Sequence, residues 1–529
     1  MDRKTCIQEG KAYLGIEFGS TRIKGVLIDK DGEVLAIGTH DWENRLENGV
    51  WTYSMEDITE GLQDTYRSLA AAVQKEYGVP LKKLGAIGIS AMMHGYLAFN
   101  EKDELLVPFR TWRNNITGPA AEELTELFGF NIPERWTIAH LYQAILNGEP
   151  HVDSIRFVTT LAGFVHWKLT GEKVLGVGDA SGVFPIDSET KQYDAGMMEK
   201  FEKKIADRKF SWTAKEVLPK VLCAGDAAGV LTAAGAAFLD PTGTLEAGVP
   251  FCPPEGDAGT GMTATNSVGV RTGNVSAGTS AFAMVVLEKP LAKLYREIDM
   301  VTTPDGLPCA MAHANNCTSD INAWVSLFKE VLETFGAKVG TGDLYTKLFK
   351  KSLEGRADGA GLIPFGYYSG EFLTGFSEGR PLFARTTDCE FNLANFMRSV
   401  VYSSMGALKV GMDILAEEGV AVDRMVGHGG LFKTEGVAEQ YLADAIHAPV
   451  TVLDTAGEGG AWGIAVLAAF MAVKGENETL PEFLNAKIFP GIQGHTAEPK
   501  AEQSEGFEKF MELYRAALPV ERAAVESMK

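Results

Sequence analysis

Residues 253–285 read PPEGDAGTGMTATNSVGVRTGNVSAGTSAFAMV and carry the strongest functional signal in the chain. Asp257 lies in a glycine-rich run. The segments after it are predicted to be a strand, a turn, a hydroxyl-rich tip and a second strand: Val268–Val270, Thr272–Asn274, Gly278-Thr279-Ser280 and Ala281–Leu287. Glycine lets backbone N–H groups approach an anion closely, and hydroxyl groups add hydrogen-bond donors. These residues therefore predict a carboxylate base near a phosphate-binding hairpin, the arrangement that a hydroxyl kinase needs.

The beginning of the chain repeats this pattern. Leu14–Phe18 and Ile23–Ile28 are apolar, strand-like segments on either side of Gly19-Ser20-Thr21. Each tip alone is typical of an ordinary turn between strands, but the two occupy corresponding points of the two halves. Two similar halves that close on a nucleotide would place one tip on each side of its phosphates, so the pair favours phosphate binding.

Strands alternate with helices in both halves, which is typical of α/β domains. Met55–Tyr77 has helical spacing and follows Ser54, a good N-cap. Leu84–Ser90 is a short apolar strand that leads into the loop Met92–Gly95. Such a loop, at the carboxyl end of a strand, is where ligand-binding residues usually lie. Residues 1–12 are predicted to be a disordered leader.

Composition bounds the class of protein. A chain of 529 residues, 45% hydrophobic, is too long for one core and suits two domains. Its formal net charge of -21 repels nucleic acid and anionic membranes, so neither is an expected partner. The six cysteines form no CxxC pair, which favours reduced thiols. With no apolar signal core and no long apolar run, the expected location is the cytoplasm.

Missing motifs exclude several chemistries. The histidines show no zinc-ligand spacing, and neither a GxxxxGK[ST] loop nor a complete strand-GxGxxG-helix unit is present. A P-loop enzyme and a nicotinamide-dependent dehydrogenase are therefore disfavoured. Asp226 lies in a small-residue run like that of Asp257, but no hydroxyl-rich hairpin follows it, so it ranks lower as a base. His94 is either a sugar contact or a buried, hydrogen-bonded core histidine.

Taken together, the motifs resemble those of the FGGY-type carbohydrate kinases, within the actin-like superfamily of sugar kinases and heat-shock ATPases. The landmarks run in the family's order along almost the whole chain: Gly15–Thr21, Met93-His94-Gly95, Leu169–Glu172, Asp179–Gly182, Gly256-Asp257, Gly278–Ser280, Gly429-Gly430 and Gly459–Ala465. The Met-His-Gly loop is most like that of the xylulokinase branch. The resemblance implies an α/β fold of two actin-like (ribonuclease H-like) domains around a central cleft, residues 1–266 for the sugar and 267–529 for the nucleotide.

The resemblance also implies roles for individual residues. Asp257 would be the catalytic base that takes the proton from the sugar hydroxyl. Glu17 stands where the family usually has an aspartate that helps to hold Mg²⁺ through water, and Asp257 would face the same ion. The sugar contacts would be Met93, His94, Gly95 and Trp112. The residues that would approach ATP are Gly19, Ser20, Thr21, Lys24, Gly278, Thr279, Ser280, Gly429, Gly430, Gly459 and Gly460.

Three positions depart from the family pattern. Glu17 is one methylene longer than the usual aspartate. The usual Trp-x-Asp-x-Arg segment reads Trp112-Arg113-Asn114-Asn115-Ile116 and loses both charges. The usual Gly-Glu-Arg loop reads Gly370-Glu371-Phe372. The second departure concerns a segment that borders the sugar in relatives, so it bears on the substrate more than on the reaction.

The expected activity is ATP-dependent phosphorylation of a ketopentose, with D-xylulose first and L-ribulose as the main alternative. A hexulose or a polyol ranks lower. A rival of another class is a sugar-sensing ATPase that kept the fold and lost transfer to sugar. The resemblance is compatible with a homodimer, which no residue pattern indicates.

Overall fold

The computed structural model describes residues 2–453 and 459–529. Its strands are β1 Tyr13–Phe18, β2 Arg22–Ile28, β3 Val34–Asp41, β4 Arg45–Glu47, β5 Val50–Thr52, β6 Ala86–Ala91, β7 Leu97–Phe99, β8 Phe157–Thr159, β9 Val174–Gly176, β10 Lys220–Leu222, β11 Glu255–Gly256, β12 Thr272–Ala277, β13 Ala281–Val286, β14 Ile298–Thr302, β15 Pro308–Ala314, β16 Leu362–Phe365, β17 Leu382–Arg385, β18 Arg424–His428, β19 Val450–Leu453 and β20 Gly494–Ala497.

The helices complete the alternation of strand and helix. They are α1 Arg3–Gln8, α2 Met55–Tyr77, α3 Gly118–Phe128, α4 Thr137–Leu146, α5 Leu161–Thr170, α6 Val177–Ala180, α7 Ala195–Ile205, α8 Ala214–Val217, α9 Ala233–Leu239, α10 Asp257–Ala264, α11 Thr318–Thr334, α12 Thr341–Ser352, α13 Leu393–Glu417, α14 Ala438–Ile446, α15 Gly459–Val473, α16 Leu480–Phe483 and α17 Ala501–Ser527. None of the helices in the described ranges is both long and apolar enough to cross a membrane.

Each half contains a mixed sheet, and the order β3-β2-β1-β6-β11 in the first half corresponds to β15-β13-β12-β18-β19 in the second. In the N-terminal half the order is β11-β6-β1-β2-β3, with β2 antiparallel to both of its neighbours, β1 and β3, and with β6 and β11 parallel to β1. In the C-terminal half the order is β14-β15-β13-β12-β18-β19-β20. There β12, β13 and β15 form the antiparallel part, and β18 and β19 run parallel to β12. The fold is therefore a structural repeat, as the paired hairpin tips predict.

A helix from the second half completes the core of the first. Helix α15 is almost entirely apolar, and it packs across the N-terminal sheet where Gly15 of β1 and Gly88 of β6 leave room. A Cβ at Gly15 would overlap the carbonyl oxygen of Ala461 and lie 2.6 Å from the amide nitrogen of Ala465. Gly463 lets the same helix meet the backbone of α10 at Thr260. Helices α10 and α15 therefore lie side by side at the centre of the molecule.

This packing makes Gly15 a sensitive position. We expect Gly15→Ala to lower the free energy of unfolding by about 3 kcal/mol or more, because the methyl group would meet backbone atoms that cannot move aside. Gly342→Ala in α12 is the matched control, since a Cβ there has open space around it, and we expect that variant to keep or slightly raise stability. Urea unfolding of both variants tests the packing; equal stabilities would contradict it.

Two local predictions are wrong. Residues 2–12 do not form the predicted disordered leader, because Asp2 caps helix α1 through the N–H of Thr5 at 3.0 Å, and Cys6 and Ile7 are buried. The segments after Asp257 are also displaced. Asp257 begins helix α10, and residues 272–274 form the start of β12 rather than a turn, because Thr272 and Asn274 pair with Arg424 and Val426 of β18. Tertiary pairing overrides the turn-like composition there.

Candidate active site

A cleft of about 1890 Å³ opens between the two halves, and residues from both line it. The predicted site residues that it brings together are Glu17, Ser20, Met93, His94, Trp112, Asp257, Ser280, Gly459 and Gly460. The others border or support the cleft without lining it: Gly19, Thr21, Lys24, Gly95, Gly278, Thr279, Gly429 and Gly430. The candidate base, the sugar loop and both hairpin tips therefore meet at one cavity.

Asp257 is the first residue of helix α10, directly after β11. Its Oδ1 accepts hydrogen bonds from the backbone N–H groups of Met93, at 3.1 Å, and Ala258, at 3.0 Å. Both bonds fall on Oδ1, which leaves Oδ2 as the oxygen available to a bound hydroxyl. Desolvation by the surrounding protein raises the pKa of Asp257, although the backbone N–H groups oppose the shift. A carboxylate with an accessible oxygen and a raised pKa is suited to accept a proton.

The second hairpin tip, Gly278–Ser280, has its carbonyl groups directed away from the cleft. The carbonyl oxygen of Thr279 accepts from the N–H of Cys317 at 3.0 Å, and that of Gly278 accepts from the N–H and hydroxyl of Thr318 at 3.1 and 2.8 Å. In the described ranges, the N–H groups of Thr279 and Ser280 make no hydrogen bond within the protein. An anion in the cleft therefore meets donors rather than carbonyl dipoles at this tip.

The first tip, Gly19–Thr21, has the same arrangement. Its three carbonyl groups accept from the indole N–H of Trp42, at 2.7 Å, the hydroxyl of Tyr53, at 2.7 Å, and the backbone N–H of Trp42, at 3.1 Å. Trp42 and Tyr53 stack with ring centroids 3.9 Å apart, which makes the support rigid. Although the supporting residues differ, both tips therefore have their carbonyl groups engaged within the protein, and Ser20 and Ser280 line the cleft.

Glu17 lies at the end of β1, opposite Lys24 in the register of the β1–β2 hairpin. Its Oε2 accepts the N–H of Ala461 at the start of α15, at 3.1 Å. Burial, with the nearby charge of Asp257, raises the pKa of Glu17 to about 7. A side chain at Gly460 would overlap this carboxylate and approach the Thr260 hydroxyl to 2.7 Å. A larger residue at position 460 would therefore displace the Glu17 carboxylate, which explains the glycine without reference to a ligand.

The glycine pair at the end of β18 also has a structural explanation. Gly429 has φ = +100°, which favours glycine, and a Cβ there would overlap the carbonyl oxygen of Ala277 beside the second tip. Gly430 has open space around it. The preceding His428 lines the cleft, with its Nε2 3.5 Å from the side-chain nitrogen of Asn274. His428 and Asn274 belong to no sequence motif that points to a functional role.

The loop that follows β6 carries the predicted sugar contacts. His94 is buried, lies 3.4 Å from the carbonyl oxygen of Gly182 through Nδ1, and stacks on Trp136. Burial lowers its pKa well below the usual value, so the ring is neutral. Both His94 and Gly95 have positive φ, at +70° and +86°. Gly95 shapes this loop, since a Cβ there would approach the carbonyl oxygen of Arg110 to 2.8 Å.

The segment 112–116, which departs from the family pattern, has a clear structural basis. Asn114 is buried and pairs with both backbone groups of Trp51, accepting from its N–H and donating to its carbonyl oxygen at 2.8 Å each. Arg113 stacks on the Trp51 ring at 3.9 Å. The neutral amide thus fixes the loop against β5, and Trp112 lines the cleft.

Sequence reasoning misses three residues that connect the two walls of the cleft. Arg135 and Asn131 precede α4, and both bind Asp299 of β14: Arg135 forms an ion pair with it, and the Asn131 amide donates to Oδ1 at 3.0 Å. The Arg135 charge opposes the rise that burial causes in the pKa of Asp257. It adds to the fall that burial causes in the pKa of His94. Because these residues lie far apart in the chain and match no short motif, only the fold brings them together.

Two buried carboxyl groups lie behind the candidate base. Glu255 accepts the N–H groups of Gly178 and Asp179, at 3.2 and 2.9 Å, and Asp179 accepts the Thr160 hydroxyl at 2.6 Å. Burial raises the pKa of Asp179 to about 7 and, with the Asp179 charge, that of Glu255 to about 8. These contacts join α6 to β11, the strand that directly precedes Asp257.

The raised pKa of Glu255 predicts a pH effect on stability. The folded protein keeps this proton up to about pH 8, whereas the unfolded chain loses it near the ordinary value of 4.5. Unfolding therefore releases a proton in this window, and the Glu255 contribution to the free energy of unfolding falls as pH rises. We expect the stability deficit of Glu255→Gln relative to wild type to shrink between about pH 5.5 and about pH 8 in urea unfolding. A constant deficit would contradict this; Glu502→Gln, on an exposed part of α17, is the control.

Comparison with known proteins places the chain among sugar kinases. Residues 12–262 match the N-terminal domain of the FGGY family of carbohydrate kinases, and residues 273–472 match its C-terminal domain. A xylulose kinase of Bacillus subtilis is 22% identical over 539 residues, with 96% of each chain covered. The match to a xylulose kinase of Escherichia coli, at 24% identity, spans 205 residues, 35% of this chain and 39% of that protein.

Solved structures share the fold over almost the whole chain. A ligand-bound xylulose kinase from Lactobacillus acidophilus has a TM-score of 0.77 at 16% identity, covering 98% of this chain and 99% of its own. A gluconate kinase from the same organism has a TM-score of 0.78 at 17% identity, covering 98% of each. With two domain matches, two repeated sheets of the actin-like type and one cleft between them, this chain belongs to the FGGY family of carbohydrate kinases and is an ATP-dependent sugar kinase.

Proposed function

We propose that the protein phosphorylates a hydroxyl of a ketopentose of the D-xylulose type, with Asp257 as general base. The observation that carries the proposal is the accessible Oδ2 of Asp257 in a cleft lined by His94 on one side and by Ser280 of the second tip on the other. The similarity to a full-length xylulose kinase supports the choice of sugar. We assign the sugar to residues 1–266 and the nucleotide to residues 267–529.

The mechanism follows from these positions. The sugar hydroxyl donates to Oδ2 of Asp257, and the backbone N–H groups of Met93 and Ala258 hold Oδ1 so that Oδ2 keeps its orientation. The neutral His94 orients the sugar by hydrogen bonding without competing for the proton. The N–H groups of the two tips bind the phosphates of ATP. Phosphoryl transfer needs little covalent help from the protein, so positioning and charge neutralisation account for most of the catalysis.

The acidic residues fit a magnesium ion that keeps several of its waters. In the described ranges, no group of three or more histidine, cysteine, aspartate or glutamate side chains forms a preformed metal cage. Glu17 and Asp257 nevertheless lie close enough for their charges to interact, since the Asp257 charge contributes to the raised pKa of Glu17. Two such carboxylates together with phosphate oxygens suit Mg²⁺. When bound, the ion neutralises developing charge on the transferred phosphate.

A sugar acid is the second candidate substrate. Arg135 places a positive charge close enough to Asp257 to lower its pKa, and the fold matches a gluconate kinase as well as a xylulose kinase. A carboxylate on the substrate would pair with this guanidinium. L-Ribulose stays an alternative because the segment 112–116 differs from the family pattern.

The test is a coupled ADP-release assay with Mg²⁺-ATP and a panel of D-xylulose, L-ribulose, D-ribulose, gluconate and glycerol. We expect turnover with D-xylulose that exceeds turnover with the other compounds. A preference for gluconate would replace the ketopentose by a sugar acid. ADP release that no sugar stimulates would identify a sugar-sensing ATPase and contradict the proposal.

A further inference from the structure

The second tip, Gly278–Ser280, is held in place by residues outside its own hairpin. The carbonyl groups of Gly278 and Thr279 are held by Thr318, the first residue of helix α11, and by Cys317, which precedes it. The tip's own internal bond runs from the Gly278 N–H to the Ser280 carbonyl oxygen, at 2.9 Å. The direction in which the tip presents its donors is therefore set by the segment Asn316–Thr318.

This segment is held in turn by the loop 367–380. Asn316 donates its backbone N–H and its side-chain amide to Oε2 of Glu371, both at 3.1 Å. Its side-chain oxygen accepts from the N–H and hydroxyl of Ser369, at 3.0 and 3.2 Å. Asn316 is buried and its amide is fully engaged. The position of Asn316 thus depends on Glu371 and Ser369.

Glu371 is a buried carboxyl group without a counter-charge in the described part of the chain. Its side chain is 0% exposed, and it forms no ion pair with the lysines and arginines in the described part of the chain. Its second oxygen, Oε1, is buried without a hydrogen-bond partner there. Burial raises the pKa of Glu371 to about 7. A buried carboxyl group of this kind is costly unless hydrogen bonds offset its burial, and its Oε2 accepts two such bonds from Asn316.

We propose that Glu371 is a positioning residue for the donor phosphates of ATP. Glu371 fixes Asn316, Asn316 begins the segment that holds the carbonyl groups of the second tip, and the tip then directs its N–H groups to the phosphates. This inference rests on the proposed function, in which the tip binds phosphate. It predicts that the effect of Glu371 on a nucleotide depends on the phosphates and not on the adenosine.

The experiment measures the binding of adenosine, ADP and a non-hydrolysable ATP analogue, each with Mg²⁺, by isothermal titration calorimetry. We expect Glu371→Ala to weaken ADP and the analogue about tenfold while adenosine binds as in wild type, because hydrogen bonds to a charged acceptor are lost at the tip's support. Glu371→Gln keeps an acceptor oxygen for Asn316 and should restore most of the affinity. In steady-state assays the same variants should raise KM for ATP more than KM for the sugar.

Two further variants make the result specific. Glu521→Gln is the matched control, because Glu521 is equally buried and accepts from the Arg380 N–H at 2.7 Å in the same loop, but does not contact Asn316. Thr318→Val removes the 2.8 Å hydroxyl contact to Gly278 and should reproduce a smaller, ADP-specific loss. This variant also decides the proposal if Glu371→Ala does not fold.

Several outcomes would overturn the proposal. These are equal weakening of adenosine and ADP, an ADP-specific loss in Glu521→Gln, and unchanged ADP binding in both Glu371→Ala and Thr318→Val. Wild-type protein that binds no nucleotide would overturn the inference together with the proposed function. Wild-type protein that binds nucleotide but phosphorylates no sugar would contradict only the proposed function, because the ratio of ADP to adenosine affinity still reports on Glu371.

Discussion

Replacing Asp257 by asparagine is expected to lower the rate of sugar phosphorylation roughly 10²–10⁴-fold and to leave the fold intact. The amide is nearly the same size and keeps an oxygen for the N–H groups of Met93 and Ala258. It cannot accept the proton from the sugar hydroxyl, so the loss falls on the chemical step. The coupled assay should therefore show a lower kcat with a KM for ATP close to that of wild type.

Asp226→Asn is the matched control for this variant. Asp226 also lies in a run of small residues, but its side chain is exposed and accepts only the N–H of Cys223, at 2.9 Å. We expect its activity to equal that of wild type. Near-full activity of Asp257→Asn would show that another group accepts the proton.

The second large effect concerns the ion pair that joins the walls of the cleft. Arg135→Met would leave Asp299 in a largely buried site without its counter-charge, and we expect the free energy of unfolding to fall by about 3 kcal/mol. We also expect a raised KM for the sugar, because Arg135 lines the cleft in the half that we propose binds the sugar, and its charge acts on Asp257. Urea unfolding and the coupled assay measure the two effects separately.

A double variant separates stability from function. Arg135→Met with Asp299→Leu removes both charges and should recover much of the stability, as paired buried charges often can be replaced by apolar groups. The higher KM for the sugar should remain. The control is Arg296→Met, which breaks an exposed ion pair with Glu122 between the same two segments and should cost at most about 1 kcal/mol. Equal losses for the Arg135 and Arg296 variants would contradict the assignment.

The sequence predicts those features of the protein that depend on residues close together in the chain. Both hairpin tips, the loop at His94 and Asp257 are short motifs whose chemistry is visible locally, and helix α2 matches its predicted bounds because Ser54 and Asp57 form a capping box. Such features depend on residues within a few positions of one another.

The parts that the sequence does not predict depend on distant partners. Asp299 and Arg135 are 164 residues apart, and neither lies in a recognisable motif. Thr272–Asn274 is a strand because it pairs with β13 on one side and β18 on the other, and Glu371 is in contact with Asn316 because its loop folds back on α11. Helix α1 forms because its buried residues pack against the first half, which the polar composition of the first residues conceals.

The crossing of α15 over β1 and β6 has a consequence for biosynthesis. At ordinary rates of translation, α15 leaves the ribosome on the order of tens of seconds after β6. During that interval the nascent first half lacks the helix that covers Gly15 and Gly88, and its apolar sheet is open to other chains. We therefore expect the nascent first half to be prone to aggregation until α15 has emerged. A fragment that ends before residue 459 would aggregate when expressed alone, so the two halves should be co-expressed rather than produced separately.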